Sequence, residues 1–181
     1  MIWLSNSTLA RLRDQLQARG QRPSIVSDPS LPPESVALMA VLAEYGPLCE
    51  AMYLMMSADG RISNEEREVL KGALRNLSGD TIRSAQIEAM LDHASKQVTD
   101  QGREARMKDV VDGLKEDKAR AEVAFILAAA IAFADNAIAD EENETLNALA
   151  EGLGIDEARA NELLDQVEAD LSPAGGAAPA T

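Results

Sequence analysis

Four carboxylates occupy matched places in two copies of one short motif. Ala58-Asp59-Gly60-Arg61-Ile62-Ser63-Asn64-Glu65-Glu66 recurs without a gap, at an offset of 76 (135 − 59), as Ala134-Asp135-Asn136-Ala137-Ile138-Ala139-Asp140-Glu141-Glu142. Asp-Gly-x-Ile-x-x-x-Glu is the spacing of the second half of an EF-hand calcium loop, with Asp59 in the place of its third ligand and Glu66 in the place of its last. The first half is missing. Its two leading ligand positions fall on Met55 and Ser57 in one copy and on Ile131 and Phe133 in the other. Calcium takes roughly six to eight oxygens, more than half a loop supplies. A complete metal site therefore requires the two copies to meet, pooling Asp59, Glu66, Asp135 and Glu142 with backbone carbonyls and water.

A second chemistry explains the same residues without a metal. Asp59-Gly60 is a turn pair. Ser63-x-x-Glu66 is a capping box, in which the two residues satisfy each other's backbone N–H at a helix start. The neighbouring acids suit the positive end of a helix dipole. Ala139 replaces Ser63 in the second copy and breaks the box, yet Glu142 remains, so capping accounts for the first copy better than the second. Two carboxylates about 4 Å apart repel by roughly 4 kcal/mol at an effective dielectric near 20. Four converging acids thus need a cation, protonation, or separation into water.

Each motif follows an apolar run and opens an amphipathic one, so each reads as a corner between two helices. The chain in order predicts an all-α protein. Thr8 to Arg19 forms a first helix, capped by Asn6 or Ser7 and carrying a Leu9/Leu12/Leu16 stripe. A Pro/Ser-rich linker follows, and Glu34 to Glu44 is the next helix, with Pro33 suited to its first turn. Gly46-Pro47 interrupts it, and Leu48 to Ala58 resumes. Asn64 to Leu77 carries Val69, Leu70, Ala73, Leu74 and Leu77 on one face. Ser78-Gly79-Asp80 ends it and caps a helix from Thr81 to about Val98. Gly102 to Leu114 comes next, then Lys118 to Ala134, apolar all round and therefore central and buried. Asp140 to Leu153 and Glu157 to Leu171, the latter capped by Asp156, complete the set. Leu77 and Asp80 recur as Leu153 and Asp156 at the same offset, so the duplication extends into the last cap. The organisation is an N-terminal helix and linker over 1–33, a helical domain over 34–171 with repeats near 34–99 and 100–171, and a flexible tail over 172–181. The fold class is a duplicated helical bundle of about seven to eight helices with pseudo-twofold symmetry.

Composition narrows the function classes. The chain has 181 residues, a net charge of −14 and one cysteine. An acidic field repels nucleic acid and anionic membrane surfaces and favours cations or basic partners. Cys49 alone excludes an intramolecular disulfide framework and multi-thiolate zinc, and lies among apolar residues as an inert buried thiol. The methionines Met52, Met55 and Met56 are core fillers. His93, the single histidine, has no nucleophile at a recognisable motif and lies on the surface or packs locally. The six basic residues from Arg103 to Arg120 are interleaved with acids and read as a solvated helix face. Met1-Ile2-Trp3-Leu4 lacks the basic region of a signal peptide. The longest apolar run, Val123 to Ala134, is too short to span a bilayer. These readings imply a cytoplasmic protein without direct membrane insertion. No nucleophile–base pair, phosphate loop or cofactor fingerprint is present, so no enzyme is expected.

At Ala58-Asp59-Gly60-x-Ile62-x-x-x-Glu66 and its repeat Ala134-Asp135-Asn136-x-Ile138-x-x-x-Glu142, the chain resembles the TerB-like family. That family is named for a tellurite-resistance protein and related to the amino-terminal domain of a membrane-anchored DnaJ-like co-chaperone. The resemblance covers roughly residues 34–171. It implies a duplicated helical bundle with an acidic, divalent-cation-binding surface, a tellurite or stress-response setting, and membrane-associated assemblies as partners. Asn136 departs from the glycine usual after the aspartate, and Ala139 departs at the cap. The leading expectation is a non-enzymatic module of a bacterial tellurite or stress-response system that binds a divalent cation, calcium first, through Asp59, Glu66, Asp135 and Glu142. The alternative is a metal-free helical adaptor that binds another protein through its first helix or an exposed groove.

Overall fold

The computed structural model describes residues 4–18, 30, 32–134 and 138–171. Most of the linker and the whole 172–181 tail lie outside these residues. The described residues form eight helices and no strand: α1 (Asn6–Ala18), α2 (Pro33–Met56), α3 (Asn64–Leu77), α4 (Ser84–Gln101), α5 (Arg103–Leu114), α6 (Lys118–Ala132), α7 (Asp140–Gly152) and α8 (Glu157–Leu171). The expected all-α class and helix number hold.

Helix α6 is the axis of the bundle. Every residue from Arg120 to Ala132 is buried, because a run such as Val123-Ala124-Phe125-Ile126-Leu127 offers no polar face to water. It packs most extensively against α2, whose second half, Leu48 to Met56, is also core. The duplication is visible in the neighbours. Units α2–α3–α4 and α6–α7–α8 correspond, and each is flanked by a helix lying on the other. Helix α1 packs on α3 and α6, whereas α5 packs on α2, α4 and α7.

The Leu9/Leu12/Leu16 stripe of α1 is buried against the body. Its polar edge is tied to the last helix: the Thr8 hydroxyl donates to Asp170 and the Arg11 guanidinium donates to Gln166 Oε1 at 2.8 Å. The cap is Ser5, whose Oγ accepts from Thr8 N at 3.1 Å, and not the expected Asn6 or Ser7. At the other flank, α5 approaches α7 so closely that a Cβ on Gly152 would come within 2.9 Å of Val111 Cγ2.

Two further expectations are overturned. Gly46-Pro47 does not interrupt the second helix; α2 runs unbroken for 24 residues with Pro47 inside it. A proline in mid-helix strands the carbonyl four residues earlier, here Ala43. The buried Arg120 of α6 supplies the missing donor, its Nη2 reaching Ala43 O at 3.3 Å and Glu44 O at 2.7 Å. Gly46 eases the same junction, having no Cβ to press on the proline ring. The second correction concerns Asp80, which does not cap α4. It stands at φ +59°, where its N–H bonds Arg75 O at 2.8 Å and closes the end of α3. Helix α4 starts at Ser84, with Gln86 Oε1 accepting from Arg83 N at 2.7 Å. Its counterpart Asp156 does cap α8, accepting from Arg159 N at 2.9 Å.

Candidate functional site

The first acidic corner joins α2 to α3. Gly60 takes φ +76°, and the exposed Asp59 closes the turn by accepting Arg61 N on Oδ1 at 2.8 Å. The capping box forms in full: Glu66 N donates to Ser63 Oγ at 3.1 Å, and Ser63 N donates to Glu66 Oε2 at 2.6 Å. Glu66 is only 6 % exposed, so its carboxylate closes the helix start from inside the fold. The second corner keeps half of that arrangement. Ala139 has no hydroxyl, yet its N–H donates to Glu142 Oε2 at 2.7 Å, and Glu142 is 7 % exposed. The two glutamates therefore do the same structural work, and the loss of Ser63's counterpart removes one hydrogen bond and not the role. The corners differ at isoleucine: Ile62 packs against the core, whereas Ile138 is exposed. Asp135 lies outside the described residues. Among those described, no three acids, histidines or cysteines converge as a metal site would require.

An arginine ties the end of α2 to α7. Arg103 Nη1 donates to Leu54 O and, at 3.0 Å, to Ser57 Oγ where the first turn begins; Nη2 donates to Thr145 Oγ1 of α7 at 2.8 Å. Burial pulls this guanidinium below its ordinary pKa, and it stays charged because arginine starts so high. It also sits at the negative end of α2's dipole. The expected solvated basic face is thus a correction. Arg103, Arg106 and Arg120 turn inward, while Lys108, Lys115 and Lys118 face water. Arg106 makes a two-pronged pair with Glu50, Nε to Oε1 at 2.7 Å and Nη2 to Oε2 at 2.9 Å, locking α5 to α2. The planar guanidinium fork matches carbonyl and carboxylate groups; the lysine ammonium stays hydrated.

Cys49 is buried, and that burial pushes its thiol up to about 12. Thiolate chemistry at neutral pH is closed to it. His93 is exposed on α4, within 3.5 Å of Gln97.

An open cleft lies between α2 and α4. Leu38, Leu42 and Gly46 of α2 face Ala89, Met90 and His93 of α4 across a cleft of about 630 Å³. It extends onto the first half of α2, where Leu38 and Met39 are 39 % and 40 % exposed. Hydropathy alone did not foretell this, because an apolar stretch reads as core whether or not anything covers it.

A family model described as "Tellurite resistance protein TerB" matches residues 47–168, more than half of the chain. The chain belongs to the TerB family. Comparison with curated proteins and with solved structures finds no match. The TerB match begins at Pro47, so it takes in both acidic corners, Arg103 and the buried half of α2. The exposed half of α2 and helix α1 lie before it.

Proposed function

We propose that this TerB-family chain is a non-enzymatic interaction module of a bacterial tellurite or stress-response system, and that the α2–α4 cleft is its protein-binding surface. The observation that supports this reading is the exposure of an apolar helix half beside an apolar cleft, in a protein whose other apolar stripes are buried. The test is complementation of a tellurite-challenged strain lacking its own copy. Leu38→Lys and Ala89→Lys change exposed cleft positions and leave the core alone. Each is expected to lower survival about tenfold or more while the thermal unfolding curve stays in place. Full protection by both variants overturns the proposal.

Calcium, or another divalent cation, at Asp59, Glu66, Asp135 and Glu142 is the second reading. It is supported by family membership and by the repeated acidic motif; the capping bonds of both glutamates weigh against it. On this reading, millimolar calcium added to chelator-treated protein raises stability by about 2.7 kcal/mol at 100 times Kd. The shift then vanishes in Asp59→Ala and Asp135→Ala. Unfolding curves that ignore calcium, magnesium and manganese alike would remove this reading and leave the first standing.

A further inference from the structure

We infer that α1 is a detachable latch. It sits on the face formed by α3, α6 and α8 as a tethered ligand, and it leaves that face while the rest of the bundle stays folded. Its release opens a second helix-binding groove, independent of the α2–α4 cleft, whose occupant in the closed protein is α1 itself. The duplication supplies the first argument. By their neighbours α1 and α5 are equivalent: α5 lies on α7 of its own half and on α2 and α4 of the other, and α1 lies on α3 of its own half and on α6 and α8 of the other. Their attachment to the chain differs. Gly102 alone joins α5 to α4 and residues 115–117 join it to α6, whereas residues 19–32 separate α1 from α2.

The fastenings differ in the same sense. Helix α5 is held by the two-pronged Arg106–Glu50 pair and by Arg103, which reaches both α2 and α7. Helix α1 buries one narrow stripe, Leu9, Leu12 and Leu16, with Leu4 just ahead of it. Its polar ties are Thr8 to Asp170, Arg11 to Gln166 at the exposed surface, and Gln15 to Glu122. The core that unites the two halves is α6 against Leu48 to Met56 of α2. The part of the chain that matches the TerB family, residues 47–168, contains that core and not α1.

A helix of 13 residues is marginal on its own in water, so α1 folds as it docks and melts as it leaves. The groove takes what α1 presents: leucines at spacings of three and four, a hydroxyl beside the first of them for Asp170, and a guanidinium for Gln166. Connectivity decides between closure within one chain and exchange between two. Residues 19–32 reach at most about 50 Å, and a tether of that length keeps an undocked α1 at an effective concentration on the order of millimolar. The α1 of a second copy, at micromolar concentration, is outcompeted.

Amide hydrogen exchange of the full chain, followed by mass spectrometry over a series of low urea concentrations, tests the latch without any substitution. The amides of α1 are expected to exchange at least about 100-fold faster than those of Val123 to Ala132, through an opening that α6 does not share. Exchange of α1 at the rate of α6, with the same urea dependence, makes α1 part of the global unit and overturns the inference. Leu9→Ala should speed exchange in α1 by about tenfold or more and leave α6 protected; equal acceleration of both overturns it too. The groove is probed with a labelled synthetic peptide of residues 4–18. This peptide is expected to bind the full-length Leu12→Asp variant, whose own α1 is displaced, at least about tenfold more tightly than wild type, whose α1 competes. The same peptide carrying Leu12→Asp should not bind. Equal affinity for the two proteins, or binding of the altered peptide, places the contact elsewhere and removes the groove. Loss of α6 protection in Leu12→Asp shows that the bundle depends on α1 and likewise overturns the latch. A wild-type dimer by light scattering that Leu12→Asp abolishes would put a second copy's α1 in the groove and overturn closure within one chain.

Discussion

Arg120→Met lowers the stability of the fold by about 2–4 kcal/mol, measured as a fall in the urea midpoint at unchanged slope. The loss follows from the two carbonyls that Arg120 serves, at Ala43 and Glu44. Methionine keeps the buried stem but donates nothing; Ala43 O is then orphaned inside the fold, at about 1–3 kcal/mol, and Glu44 O loses a charged donor while keeping its helical one. The decisive experiment is the cycle with Pro47→Ala. Alanine restores an N–H that can reach Ala43 O, so the loss from Arg120→Met in that background shrinks by about 1 kcal/mol. Strict additivity of the two substitutions would show that Arg120 does not act through the proline's stranded carbonyl.

Glu122 carries the second large effect. Its carboxylate receives both prongs of Arg159, Nε to Oε1 and Nη2 to Oε2, each at 2.9 Å, which fastens α8 to α6. The Arg159 hydrogen bonds, then its charge, with Lys118 and Gln15 adding to them, hold Glu122 below its usual carboxylate pKa against the opposing effect of burial. Glu122→Gln removes the charge but keeps the shape, and is expected to cost about 2–3 kcal/mol at neutral pH. That is below the full 3–5 kcal/mol of breaking a buried pair, because Arg159 is 38 % exposed and recovers hydration. The pH dependence has a definite sign. A carboxylate whose folded pKa is depressed contributes its stability above the unfolded value, near 4.3. That contribution is lost as pH falls through the lower folded value. The gap between wild type and Glu122→Gln should therefore be constant at neutral pH and narrow only in acid. A gap that persists undiminished at low pH would assign the cost to packing instead of charge.

What could be read beforehand was what depends on local pattern. Val123 to Ala132 is apolar on all sides and had to be central. Leu9, Leu12 and Leu16 share a face and had to be covered. Ser63 and Glu66 have capping spacing, and they cap. The misreadings share a cause, a partner far away in the chain. Nothing near Pro47 indicates that α2 continues through it, because the compensating guanidinium belongs to α6. The basic residues from Arg103 to Arg120 look alike as charges, yet Arg103 and Arg106 reach back to α2 while Lys108 and Lys115 hold only Asp112. The acidic corners were legible as a pair and as caps. Thr145, whose hydroxyl meets Arg103, aligns with Val69 and not with a like residue, so that tie left no mark in the repeat. The exposed half of α2 is the plainest case, since composition records what a residue is and not what covers it.

The docking of α1 on α8 has a consequence for how the protein is made. Thr8 and Asp170 are 162 residues apart. At about 5–20 residues per second, a ribosome needs roughly ten to thirty seconds to supply the far side of that contact. Until α6 and α8 emerge, the Leu9/Leu12/Leu16 stripe has only α3 to cover it. Helix α1 is therefore synthesised long before it is secured, and the nascent chain carries an apolar surface until α6 and α8 follow.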